Sequence, residues 1–139
     1  MINRVLIRLK IVQILYAYYQ NGGKNLETAE KELFFSLSKA YDLYNYLLLL
    51  IVTVTRYATR RIDMGKAKLC PTKEELNPNM KFVENRFAAQ LEVNKQLNEF
   101  VENQKKSWDN EENFIRDFYN RIVESDVYKE YMAAPAGGY

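Results

Sequence analysis

Arg4-Val5-Leu6-Ile7-Arg8-Leu9-Lys10-Ile11-Val12-Gln13-Ile14-Leu15-Tyr16-Ala17-Tyr18-Tyr19-Gln20 contains no Gly or Pro, and Asn21-Gly22-Gly23 follows it directly. Such a run, closed by such a turn, reads as one helix. At about 100° per residue, Val5, Leu9, Val12, Tyr16 and Tyr19 share one stripe. Arg4 and Arg8 stand four apart on an adjoining flank, which Ile11 and Leu15 continue. Polar residues are confined to Asn3, Arg4, Arg8, Lys10, Gln13 and Gln20. A helix apolar on nearly every side is expected to be the central post of a helical core, sheathed by its neighbours with its basic tip free. Charges at a helix end often do no more than solvate it or pair with carboxylates nearby. The alternative is contact with an anion such as an RNA phosphate. Spacing leaves both open.

Working outward, Asn25 is positioned to cap a second helical run, since Leu26 to about Met64 holds neither Gly nor Pro. Ala29, Leu33, Leu37, Ala40, Tyr44, Leu47, Ile51, Val54, Ala58 and Ile62 recur there at steps of three and four. One straight helix of that length would reach roughly 55–60 Å, so a bend, a break into two or a protruding end is expected. Tyr46 to Val54 is too short to span a bilayer, which needs about 20 residues, and reads as a fully buried segment. Tyr41, Tyr44 and Tyr46 are expected to place rings in the core and hydroxyls at its edge.

Gly65 is expected to open a loop through Pro71 to Pro78, interrupted by a turn of helix at Thr72–Leu76 that Thr72 caps. Periodicity then resumes with Val83, Phe87, Leu91, Leu97 and Val101. Asp109 or Asn110 is expected to cap a helix whose buried stripe is Phe114, Phe118 and Ile122. Ser125 or Asp126 is expected to cap a last short one. The whole predicts an all-α fold: one domain over residues 1–132, of four to five helices, with the first packed on a long second helix or helix pair. Residues 133–139, with Pro135-Ala136-Gly137-Gly138, read as a linker after which more protein is expected.

Composition narrows the chemistry. The chain has 139 residues, 47% hydrophobic, with one cysteine, no histidine and a net charge of +2. Cys70 alone allows no internal disulfide and fits a cytoplasmic setting. Without histidine the commonest general base and metal ligand are missing. Glu74-Glu75 and Glu111-Glu112 fall in predicted first turns, where they complement the helix dipole. No phosphate loop, ligand cluster or nucleophile–base pair appears, so a non-catalytic protein without cofactor or metal is expected. Charge is uneven: Arg56 to Lys73 holds six basic residues against Asp63 alone, and Glu99 to Asp126 eight acidic against four basic. That asymmetry suits either a basic docking face or attraction within the fold.

The pattern Arg4-x-x-x-Arg8-x-x-x-Val12-Gln13-x-Leu15-Tyr16 resembles the start of the NusB family of transcription antitermination factors, and the similarity extends to about residue 60. The resemblance implies a small all-helical protein that binds boxA-type RNA together with NusE, a small-subunit ribosomal protein, within the RNA polymerase antitermination complex. It also implies that Arg4 and Arg8 touch RNA; Lys10, the third RNA-binding candidate, is nearby but falls where the family does not place its arginines, and Gln13 and Tyr16 would serve the fold. Val5 and Leu6 stand where other members often carry Arg, and the family's later Asn-Glu-Ala and Phe-Val-Asn-Gly segments are absent. The chain thus looks like the front portion of a longer relative. A helical protein-interaction or oligomerisation module without RNA binding is the alternative.

Overall fold

The computed structural model describes residues 3–135, and every regular element among them is a helix. The order is α1 (Arg4–Gln20), α2 (Leu26–Lys66), α3 (Lys73–Leu76), α4 (Arg86–Glu92), α5 (Lys95–Gln104), α6 (Glu112–Glu124) and α7 (Asp126–Ala133). The fold is all-α, with seven helices among the described residues where four to five were expected. The helices gather into two compact units, Met1–Asn45 and Tyr46–Tyr139. α2 is one unbroken helix of 41 residues, about 60 Å long, and Gly65 belongs to it rather than to a loop. No described helix is long and apolar enough to cross a membrane. Of the expected linker, residues 136–139 lie outside the described residues.

In the first unit Asn3 caps α1, its side-chain oxygen accepting the Leu6 N–H at 2.8 Å. The turn after α1 needs two left-handed residues, and Gly22 (φ 82°) and Gly23 (φ 61°) supply them without a Cβ penalty. The Gly23 N–H returns to the Tyr18 carbonyl at 2.9 Å, and the Tyr18 hydroxyl donates to the Gly23 carbonyl. Asn25 accepts from the Thr28 N–H at 3.1 Å and so caps α2 as expected.

The face of α1 that is shielded differs from the expected one. Leu6, Ile7, Lys10, Ile14, Ala17 and Tyr18 are half-buried, and Ala29, Leu33, Ser36, Leu37 and Ala40 form the corresponding shielded face of α2. Val5, Leu9, Val12, Tyr16 and Tyr19 are exposed, and no residue of α1 is buried. α1 is therefore not the post of the core. It is half of a helical hairpin with its second apolar face open.

The core lies in the second unit, on the far half of α2. Leu50 and Val54 pack with Ile115 of α6, supported by Tyr57, Phe82, Trp108, Phe118, Tyr119 and Ile122. Val52 packs with Leu91 of α4 and Leu97 of α5, supported by Leu48 and Leu49. The Leu47–Val54 run is only partly enclosed, since Leu47 and Ile51 remain exposed. Tyr41 and Tyr44 are exposed as well; of the three tyrosines only Tyr46 packs, stacked at 4.1 Å on Trp108. Trp108 also donates its indole N–H to the Tyr46 carbonyl at 2.9 Å.

Local polar groups set the ends of the shorter helices. Thr72 and Glu75 form a capping box on α3. The helix expected over Val83–Val101 breaks at Val93, because Asn94 caps α5 by accepting the Leu97 N–H. Neither Asp109 nor Asn110 caps α6: Asp109 accepts from the Ser107 hydroxyl instead, and Glu111 holds the cap position without a side-chain bond. On α6 the buried residue is Ile115, Phe114 being exposed. Ser125 caps α7 as expected. At its other end Lys81 donates to the carbonyls of Tyr131, Ala134 and Pro135, a cation placed where the helix dipole favours one.

Ile115→Ala should lower unfolding free energy by about 2–5 kcal/mol, since its side chain is 2% exposed between α2 and α6. Val127→Ala, 77% exposed on α7, should stay within about 0.5 kcal/mol. Urea titration followed by the single tryptophan checks both.

Alkali should act through Tyr119 and Tyr128, together with Tyr46, whose phenol is also raised by burial and by Glu111. Burial raises the Tyr119 phenol above the usual value, and burial with the neighbouring phenols Tyr119 and Tyr131 raises that of Tyr128. A phenol that holds its proton more tightly folded than unfolded leaves stability intact below about pH 10. That stability is lost as pH climbs through the folded values. Phenolate absorbance should therefore show late-titrating tyrosines whose ionisation coincides with unfolding, and Tyr119→Phe with Tyr128→Phe should move the alkaline transition upward.

Candidate nucleic-acid interface

Arg4 is the first residue of α1 and Arg8 stands one turn later, so their Cβ atoms lie about 5–6 Å apart on one face. Both are exposed. Among the described residues neither has a carboxylate within ion-pair distance, and α1 itself contains no acidic residue. In the same unit Asp42 and Glu27 are engaged by Lys39 and Lys31. A cation in the first turn of a helix opposes the macrodipole, whose positive end lies there. Helix stability therefore does not account for Arg4. Two guanidinium groups at the positive end of a helix concentrate a field that suits a phosphodiester.

Lys10 does not join them. It lies 120–160° around the helix from Arg4 and Arg8 at about 100° per residue. It is half-buried, among Leu6, Ile7 and Ile14 on the hairpin's inner face. The three candidate residues thus divide into an exposed arginine pair and a separate lysine.

The basic stretch from Arg56 to Lys73 is largely broken up by the fold of the second unit. Arg56 reaches Glu92 of α4 at 2.6 Å, and Lys68 pairs with Glu75. The Lys68 ammonium, with the Thr72 N–H, holds the Glu75 carboxyl below its usual pKa. Arg60 lies over the Tyr57 ring at 5.9 Å, and Arg61 acts on the Tyr119 phenol. Arg60, Arg61, Lys66 and Lys73 are left without a carboxylate partner among the described residues. The charge run in the sequence is thus partly a set of internal straps.

Leu50, Val54, Phe82, Phe87, Phe118 and Ile122 line a cavity of about 240 Å³ in the second unit. Its polar neighbour Asn85 spends its side-chain oxygen on the Phe87 and Ala88 N–H groups at the start of α4. Cys70 is exposed and free. No three His, Cys, Asp or Glu side chains gather among the described residues in a way that could hold a metal ion. Comparison with family models, with curated proteins and with solved structures finds no match to this chain.

Proposed function

We propose that the protein is a NusB-like transcription antitermination factor. It binds boxA-type RNA through Arg4 and Arg8 and works with the small-subunit ribosomal protein NusE in the RNA polymerase antitermination complex. The observation that carries the reading is the exposed arginine pair on the first turns of α1, free of carboxylates and on the end of the helix where a cation gives no stability. The Arg4 to Tyr16 pattern, which resembles the start of that family, supplies the identity of the polyanion. Two arginines make a small electrostatic contribution, so RNA affinity should rise when the ribosomal protein is present. The competing reading is a helical interaction module without RNA, favoured by the open apolar face of α1.

Titration of boxA-like and scrambled RNA, with and without the ribosomal protein and at two salt concentrations, separates them. Arg4→Ala with Arg8→Ala should weaken binding and flatten the log–log salt slope by about 1.4, the value for two single-strand phosphate contacts. Lys10→Ala should leave that slope in place, because its side chain faces the hairpin. An unchanged slope in the double variant, or equal affinity for scrambled RNA, overturns the proposal.

A further inference from the structure

Val5, Leu9, Val12, Tyr16 and Tyr19 are between 52% and 76% exposed. They recur at steps of four, three, four and three, the alternation of a coiled-coil seam. α1 has 17 residues, so the seam runs along a helix of about 25 Å. Isolated exposed apolar residues are ordinary on a protein surface, but a contiguous stripe of five marks an interaction site. The stripe is convex, and its spacing fits the grooves of another helix lying nearly along it, at about 20°.

The charges beside the seam select among possible helices. Arg8 immediately precedes Leu9 and borders the stripe, whereas Arg4 lies further round. In a second copy α1 would bring no carboxylate to Arg8 in either direction, because the helix holds none. A parallel pairing would also set the basic ends of both copies side by side. Leaving Arg8 unmatched at the edge of an apolar seam forfeits the electrostatic complementarity that fixes register and partner choice.

We infer that the outer stripe of α1 is a docking seam for an amphipathic helix of a partner protein whose apolar face is edged with Asp or Glu. The partner's seam residues interlock with Val5, Leu9, Val12, Tyr16 and Tyr19, and its acidic edge meets Arg8. The inference does not rest on the RNA reading: both draw on Arg8, so the partner helix and an RNA phosphate compete for that side chain, and the test contains no RNA.

Two synthetic peptides of three heptads serve as probes. They share one Leu/Ile seam, and the flanking positions carry Glu in one and Lys in the other. Fluorescence anisotropy against the whole chain should show the Glu peptide binding about tenfold more tightly or better. Arg8→Glu should reverse that preference. Leu9→Gln with Val12→Gln should abolish binding with the far-UV circular dichroism unchanged, as both positions face solvent. Sedimentation of the chain alone should show a monomer. Equal affinities, no binding of either peptide, binding indifferent to the seam substitutions, or self-association dissolved by them would each overturn the inference.

Discussion

The far half of α2 must be covered from two sides at once, and the second unit follows from that requirement. Leu50, Val54 and Tyr57 face α6, while Leu48, Leu49 and Val52 face α4 and α5. A helix apolar on both flanks cannot rest on a single layer, because one face would stay in water. The chain answers by returning twice. α4 and α5 close one side and α6 closes the other, with α7 folded back at the end of α6. Ala58 and Ala88 are both buried, and small side chains of this kind let helices approach closely. The Arg56–Glu92 pair then straps α2 to the end of α4. Being exposed, that pair contributes alignment more than stability.

Between those returns the loops are held by polar groups that use backbone atoms as partners. The Trp108 indole donates to the Tyr46 carbonyl while its ring stacks on Tyr46 from one direction and on Phe114 from another. The Lys81 ammonium gathers the Tyr131 carbonyl of α7 and the Ala134 and Pro135 carbonyls just beyond it, and the Asn79 amide donates to that of Met132. Carbonyls at a helix C-terminus have no partner within the helix, so a cation placed there satisfies several at once. The Pro78–Asn85 segment, which lacks long regular structure, is anchored in this way to α7.

How much of this was legible follows from the kind of signal each element carries. α1, the Asn25 cap of α2, the Thr72 cap and the Ser125 cap are written in local chemistry, and the sequence reading located them, whereas it left open whether α2 is one helix or two. The shielded face of α1 is written nowhere locally. Residues near Val5 and Leu9 and residues near Leu6, Ile7 and Ile14 are equally apolar, so periodicity returns two candidate stripes and cannot rank them. Only the hairpin geometry, fixed by Gly22 and Gly23, decides that Ile14 turns inward and Val12 outward. The break before α5 escapes the periodicity for a related reason. Asn is equally at home on a solvated helix face and at an N-cap, and here the Leu97 N–H takes its side chain. In the candidate site, the four-residue spacing of Arg4 and Arg8 showed that they lie together. The separation of Lys10 was implicit in the same arithmetic, since six residues from Arg4 place it on another side of the helix.

The bland and the specific explanations of the arginine pair make different demands on the surroundings. If these charges merely solvated a helix end or fastened it, carboxylates would lie within reach, as Glu92 does for Arg56 and Glu75 for Lys68. In the first unit Glu27 and Asp42 are engaged by Lys31 and Lys39, and Glu30 and Glu32 lie within ion-pair distance of neither arginine. Arg4 and Arg8 are left near the positive pole of α1, whose dipole opposes a cation. Two like charges one turn apart add a further small cost to the isolated helix. Under the proposed function, an anion outside the fold offsets that cost. The adjoining apolar stripe is not explained by the fold's own packing either, and the two features share one helix face and its edge. α1 thus has one side shielded in the first unit and its outer half exposed.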